Sequence, residues 1–384
     1  MEAYLDNSAT TRCAEPVIQK MLKVYREDFG NPSSMHTKGL EAEHYVREAA
    51  AAIADSLKVE PKNILFTSGG TESNNTAIIG TALSKRREGK HLITTAIEHA
   101  SVASPMKFLE EEGFEVTRIP VDGKGQVDLD KLKSAIREDT ILVSIMHVNN
   151  EIGAVEPIEE IGQMVKEKNP KTLFHVDAIQ SYGKFRIRPK KAKIDYLSVS
   201  SHKIHGPKGV GFLYVKTPSA LHPILFGGGQ QDGLRSGTEN VPGIAGLGEA
   251  ASLAYGNLEE NRRHLYELKE FFTGGLSEIE GTVLNGPWGP EGAPQIVSAS
   301  FEGVRSEVLL HALEEKGIYV SAGSACSSHK RAPSATLSAI GVRRDLLETT
   351  VRFSFAVTTQ KEELEYTLDN LKEILPRLRK YARR

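Results

Sequence analysis

The chain is poor in cysteine: of its 384 residues only Cys13 and Cys326 carry a thiol. Two cysteines cannot build a disulfide framework or a four-cysteine zinc site, so no metal is implied and any conspicuous cysteine is a candidate for reactivity. A charge excess is missing too. With 48 basic and 50 acidic residues the net charge is −2, which removes the electrostatic case for nucleic acid or membrane binding and favours a small-molecule ligand. No apolar run approaches the ~18 residues of a membrane span. The opening residues, MEAYLDNSATTR, hold no basic segment followed by an apolar run, so a cytoplasmic location is expected. Repeats and low-complexity stretches are absent. What remains is an ordinary globular composition, 39% hydrophobic and 26% charged, long enough for roughly two domains of ~100–200 residues.

Pro16 stands where a first helical residue would, and the apolar spacing after it predicts a helix that ends at Gly30-Asn31-Pro32. Lys38 to Leu57 reads as a second amphipathic helix. Seven short runs rich in branched residues then follow, at 63–67, 91–95, 115–120, 140–146, 172–176, 196–200 and 209–215. Helical patterns at 71–88, 100–112 and 158–168 fall between them. Strands alternating with helices predict an α/β domain around a mostly parallel seven-stranded sheet. The last run follows its predecessor too closely for a helical crossover and is expected to be antiparallel. A single long helix, about 242–276, is expected to lead into a smaller α+β domain. That domain would carry strands at 282–285, 295–301, 318–323 and 351–355, helices at 306–315 and 334–340, and a terminal helix at 360–379. The expected division is 16–258 for the large domain, with 1–15 and 259–384 forming the small one.

In open α/β sheets ligands bind at the carboxyl ends of the strands, so the residues just after each apolar run carry the information. After the first run, Gly69, Gly70 and Thr71 offer close backbone approach and a helix N-terminus able to hold a phosphate, although Thr71 alone reads as a plain N-cap. His99 begins the next helix. Alone it reads as a cap or core residue, and beside a flat cofactor as a stacking imidazole that exchanges protons. Asn149 and Asn150 are turn residues, or donors to a substrate or cofactor oxygen. Asp177 ends an apolar strand, where a carboxylate is costly unless paired; a helix cap is one account and a pyridinium nitrogen another. Gln180 follows three residues later. Ser200, Ser201, His202 and Lys203 end the next run. Taken alone, Lys203 and Lys208 are two solvated loop lysines; a desolvated Lys203 would instead attack a carbonyl. A phosphate cradle, an imidazole, a ring-nitrogen carboxylate and a carbonyl-seeking lysine together match pyridoxal phosphate.

Across nearly the whole length the chain resembles the cysteine desulfurases of the NifS and IscS kind, within the class V aminotransferase group of fold-type I pyridoxal phosphate enzymes. The segments that carry the resemblance are YLDNSATT, GNPSSMH, TSGGTESNN, EHASV, VNNEIG, HVDAIQ, SSHKIHGPKGVG, GGGQQDGLRSGTEN, SAGSACSSH and VRFSF. It implies Lys203 as the lysine that carries the cofactor, Asp177 on the pyridine nitrogen, Gln180 near the ring hydroxyl and His99 stacked on the ring. It further implies a phosphate held by Gly70, Thr71, Ser200 and His202, with Thr238 arriving from the other subunit of a homodimer. Arg352, helped by Asn150, would take the substrate carboxylate; in isolation Arg352 is simply a strand residue at the surface. Cys326, in a small and polar run without apolar periodicity, would be the nucleophile that takes sulfur from L-cysteine as a persulfide and passes it to an acceptor or iron–sulfur scaffold protein. Ala322 departs from the serine frequent at that place, and Cys13 matches no catalytic cysteine. Within the same fold, a selenocysteine lyase or ordinary aminotransferase is the rival reading; outside it, a non-catalytic nucleotide-binding or sulfur-trafficking scaffold.

Overall fold

A computed structural model of the protein describes residues 1–322 and 334–382. The strands are β1 (Ala3–Tyr4), β2 (Ile64–Thr67), β3 (His91–Thr95), β4 (Glu115–Ile119), β5 (Thr140–Met146), β6 (Leu173–Asp177) and β7 (Tyr196–Ser200). They continue with β8 (Gly211–Val215), β9 (Thr282–Asn285), β10 (Ile296–Phe301), β11 (Ile318–Tyr319), β12 (Ser321–Ala322) and β13 (Thr350–Ser354). The helices begin with α1 (Glu15–Arg26), α2 (Thr37–Leu57), α3 (Gly70–Lys85), α4 (Ala100–Glu111), α5 (Leu129–Ala135) and α6 (Ile158–Lys168). After them come α7 (Val241–Gly256), α8 (Leu258–Ser277), α9 (Ser306–Glu314), α10 (Ala335–Ala339) and α11 (Lys361–Ala382).

The large sheet runs β2-β8-β7-β6-β5-β3-β4. Strand β8 is antiparallel to both of its neighbours and every other pair is parallel, so β2, β3, β5, β6 and β7 all end on one edge. Strands β5, β7 and β8 are buried along their whole length, and β6 everywhere but at Leu173, which explains why they read as continuous runs rather than alternating ones. One core layer gathers Ile53, Phe174, Val199, Phe212 and Leu247; the other gathers Ile78, Leu92, Met106, Leu142 and Leu213. Helix α7 lies against α1 and α2. At Gly248 any Cβ would come within 2.7 Å of the Ala49 backbone, so only glycine permits that close helix crossing.

The smaller sheet runs β12-β13-β10-β9, all antiparallel, and a two-stranded parallel pair joins β1 to β11. A separate core of Leu5, Leu268, Phe272, Phe301, Phe353 and Leu371 fills the space between this sheet, α8 and α11. Three expectations need correction. The single helix over 242–276 is two helices: Asn257, with φ −121° and ψ 28°, caps α7 and starts α8. The run over 318–323 is two strands in different sheets, β11 pairing with β1 and β12 with β13. A seventh helix of the large region, α5, was not expected; it starts where the Asp128 carboxylate accepts 3.0 Å from the Lys131 amide.

Candidate active site

The carboxyl edge of the large sheet assembles the strand-end residues from separate parts of the chain. Asp177 ends β6, in register with Ser198 of β7, and the chain leaves β7 through a single 3₁₀ turn, Ser201–Lys203. Asp177 is buried. Its Oδ2 accepts 2.8 Å from Asn74 Nδ2 and its Oδ1 accepts 3.0 Å from the Ile179 amide. Burial raises its pKa; those two donors, then His99 and Lys203, pull it back. Both hydrogen-bond donors are neutral, so this carboxylate calls for a cation.

Asn74 links Asp177 to His99. The same Nδ2 lies 2.9 Å from Ser101 Oγ, and Ser101 Oγ lies 2.8 Å from His99 Nδ1. The Ser101 amide also donates to His99 Nδ1 at 3.1 Å. Nδ1 is thereby the acceptor, and a neutral His99 carries its proton on Nε2. The same bond from the Ser101 amide makes His99 the N-cap of α4.

The Lys203 Nζ donates to the main-chain oxygens of Ser8 and, at 2.7 Å, Ala9. Gln180 Nε2 reaches the same Ser8 oxygen at 3.0 Å. The half-buried Lys184 donates 3.0 Å to the main-chain oxygen of Lys203, and burial, with Lys203 nearby, pushes its pKa down to about 8. His202 Nδ1 lies 3.2 Å from Thr10 Oγ1, and burial followed by the cations Lys203 and Lys208 pushes its pKa down to about 4. At neutral pH His202 therefore offers a neutral N–H.

Gly70 and Thr71 open α3, whose N-cap Gly69 makes no side-chain cap bond. Gly69 has φ 148°, and a Cβ on Gly70 would lie 2.1 Å from Ile179 Cδ1, so the turn packs directly on the sheet edge. Ser200 Oγ stands 3.8 Å from where a Gly69 side chain would start. The first amides of α3 and the Ser200 hydroxyl thus lie together at the sheet edge, with donors an anion needs. Arg352, buried on β13, donates 2.8 Å to the main-chain oxygen of Asn150 and pairs with Asp6 at 2.9 Å. Thr238 is exposed and lines a separate cavity of about 130 Å³ with Thr67, Ser68, Arg235 and Glu239; no hydrogen bond joins it to the α3 turn among the described residues. Cys326 lies outside the described residues.

The donor set fits pyridoxal phosphate. The uncapped α3 terminus suits a dianion, buried Asp177 suits a protonated ring nitrogen, and Lys203 stands beyond the neighbouring strand. Sequence reasoning missed Asn74, Ser101, Lys184 and Asp6. For Asn74 a signal existed: it lies four residues after Gly70, one helical turn along the face that starts at the cradle. Lys184 and Asp6 had none, because their roles depend on distant main-chain atoms.

The sequence pattern of the family described as Aminotransferase class-V matches residues 3–367. The cysteine desulfurase IscS of Dictyoglomus turgidum is 45% identical over 382 residues, covering 98% of this chain and 95% of that protein. Among solved structures, a NifS-like protein superposes with a TM-score of 0.92 at 40% identity, covering 98% of this chain and 100% of the other. The structure of SspA in complex with cysteine gives a TM-score of 0.81 at 35% identity over 93% of this chain and 100% of that one. The chain belongs to the aminotransferase class-V family and, within it, to the pyridoxal phosphate-dependent cysteine desulfurases of the NifS and IscS kind.

Proposed function

We propose that this chain converts L-cysteine to L-alanine with pyridoxal phosphate and takes the sulfur onto Cys326 as a persulfide. The observation that carries the reading is the buried Asp177 at the end of β6, held by Asn74 next to the strand that leads into Lys203. When bound, the cofactor's pyridinium ring withdraws electron density from the substrate Cα. Asp177 keeps the proton on the ring nitrogen, and Asn74 fixes the carboxylate that does so. In this reading Gln180 serves the ring hydroxyl, and Gly70, Thr71, Ser200 and His202 hold the phosphate. Arg352 takes the substrate carboxylate, with Asn150 beside it. Lys203 removes the Cα proton and returns a proton nearby. His99, with its neutral-form proton on Nε2, serves the substrate thiol or the departing three-carbon fragment. The Cys326 thiolate attacks the substrate sulfur: the S–S bond forms as the Cβ–S bond breaks, and its electron pair stays with the fragment, which gains a proton and leaves as alanine.

The active unit is read as a homodimer in which Thr238 of one subunit completes the phosphate site of the other; the exposure of Thr238 is consistent with that role. The sulfur goes on to an acceptor or iron–sulfur scaffold protein, in the cytoplasm; among the described residues no helix is long and apolar enough to cross a membrane. Residues 16–258 are taken as the cofactor domain, and 1–15 with 259–384 as the small domain; the separate core that Leu5 shares with Phe272 and Phe353 supports the split. The test uses two variants. Lys203→Ala should lose alanine release and the yellow lysine-linked chromophore together. Cys326→Ser should keep the chromophore and bind cysteine while forming no persulfide by mass spectrometry. Full turnover in either variant refutes the assignment of that residue.

A further inference from the structure

Arg352 is buried on β13, and two of its three nitrogens are already engaged within the chain. Nη1 donates to the Asn150 main-chain oxygen at 2.8 Å, and Nη2 lies 2.9 Å from Asp6 Oδ1. Nε is buried and has no hydrogen-bond partner among the described residues. A guanidinium presents a carboxylate with two bidentate edges, Nη1 with Nη2 and Nε with Nη2. Nη2 belongs to both edges and carries two N–H groups, one along each; Asp6 holds one of them, Nη1 is engaged by Asn150, and Nε is buried. The adjoining cavity, lined also by Glu151, Ser298, Ser321 and Thr350, is about 20 Å³, room for a single water and not for a carboxylate. The cavity leaves no room for a carboxylate beside the Asp6–Arg352 pair, so a substrate carboxylate that takes Arg352 bidentately competes with Asp6 for the guanidinium.

We propose that Asp6 is an internal stand-in for the substrate carboxylate, holding Arg352 neutralised and aimed until L-cysteine displaces it, so that Asp6 sets substrate affinity and is a specificity-determining residue. This rests on the reading of Arg352 as the carboxylate site. Leaving a buried guanidinium without an anion would be costly, which gives the resting pair its physical reason. Asp6 is equipped to leave. Its side chain keeps 22% exposure against 9% for Arg352. Its backbone is held independently of the carboxylate, by a bridge to Ser354, by the Ala9 amide donating 3.0 Å to the Asp6 oxygen, and by Asn7 Nδ2 donating 3.0 Å to the Ser354 oxygen. The side chain can swing while the segment stays docked. Two residues further on, the same segment presents the Ser8 and Ala9 oxygens to Lys203, so the substrate anchor and the reactive lysine share one support.

The proposal has a sign that a purely structural role would not give. An Asp6 that merely orients Arg352 would weaken ligand binding when neutralised; an Asp6 that competes for Arg352 would strengthen it. Calorimetric titration of the holoenzyme with L-alanine reads the difference. Asp6→Asn should tighten Kd by about tenfold, the order expected when one charge-assisted competitor is removed. The KM for cysteine should fall alongside with kcat changed less. Asp6→Glu, which restores a carboxylate, should return Kd to within about threefold of the parent. Unchanged or weaker L-alanine binding in Asp6→Asn, with a melting temperature like that of the parent, overturns the proposal. Arg352→Gln separates the two layers. If it leaves Kd unchanged, the carboxylate site is elsewhere and both readings fall; if it weakens binding while Asp6→Asn does not tighten it, only the Asp6 inference falls.

Discussion

The edge of the large sheet and the Asp6–Thr11 segment both reach Lys203, by opposite physical means. At the sheet edge, Asp177 is placed by strand register and locked by Asn74 and the Ile179 amide, all in the interior. The segment is a connection between β1 and α1, pinned at intervals. Asn7 and the Ser8 amide hold it to Ser354, and Thr11 holds it to the Lys203 turn through His202 and His205. Asp6, just before the first pin, is partly open to solvent, and Ala9, between the pins, is exposed. The sheet edge holds its carboxylate by strand register and buried hydrogen bonds. The segment stays docked, and in our reading only its Asp6 side chain is exchanged for a ligand.

Three substitutions break or sharpen that contrast. The largest effect should come from Asp177→Asn, a near-isosteric change that removes the charge we propose keeps the ring nitrogen protonated. Alanine release should fall about a hundredfold or more, the range set by a lost proton-holding group; a loss below about threefold would mean the buried carboxylate is structural. Asn74→Ala should be milder. It removes the 2.8 Å bond to Asp177 and the link to Ser101, and kcat should drop about tenfold with KM nearly unchanged, as a positioning residue requires. An effect on KM alone would place Asn74 with the substrate rather than with Asp177.

The smallest effect is one of pH. Glu98 Oε1 accepts from Thr95 Oγ1 at 2.7 Å and from the Met146 amide at 3.0 Å, while its other oxygen is buried without a partner among the described residues. Burial pushes its pKa from 4.5 up to about 8, against the pull of those two donors. A carboxyl whose folded pKa is raised binds its proton more tightly in the folded state. Its contribution to stability is whole below the unfolded value and is lost as pH rises through about 8. Glu98→Gln should therefore melt progressively higher than the parent as pH rises between those limits, by about a few degrees at the top. Parallel melting curves across that range would show that Glu98 keeps its proton by another route.

Much of the sheet edge was legible in the sequence because one rule places it: apolar runs mark strands, and the polar residues that follow a parallel strand lie at the ligand edge. Asp177 ends its run, Gly70, Thr71, His99 and Lys203 each come within four residues of a strand end, and the short interval before β8 revealed its antiparallel direction. The break between α7 and α8 was not legible, since Asn257 is compatible with a helix in composition and adopts its non-helical angles only in the folded packing. Nor was the split of 318–323 into β11 and β12, which is decided by the partner strands available on either side of Val320.

The sequence by itself determined the class of chemistry, because local patterns specify strand ends, helix starts and the residue types gathered there. Which of those groups are held still and which are held on loan was decided only by the tertiary structure. The Asn74–Asp177 bond joins residues 103 apart in the chain, and the Asp6–Arg352 pair joins residues 346 apart. Separations of that size leave no periodic trace in the sequence, because the contact exists only once two sheets and the segment between them have packed.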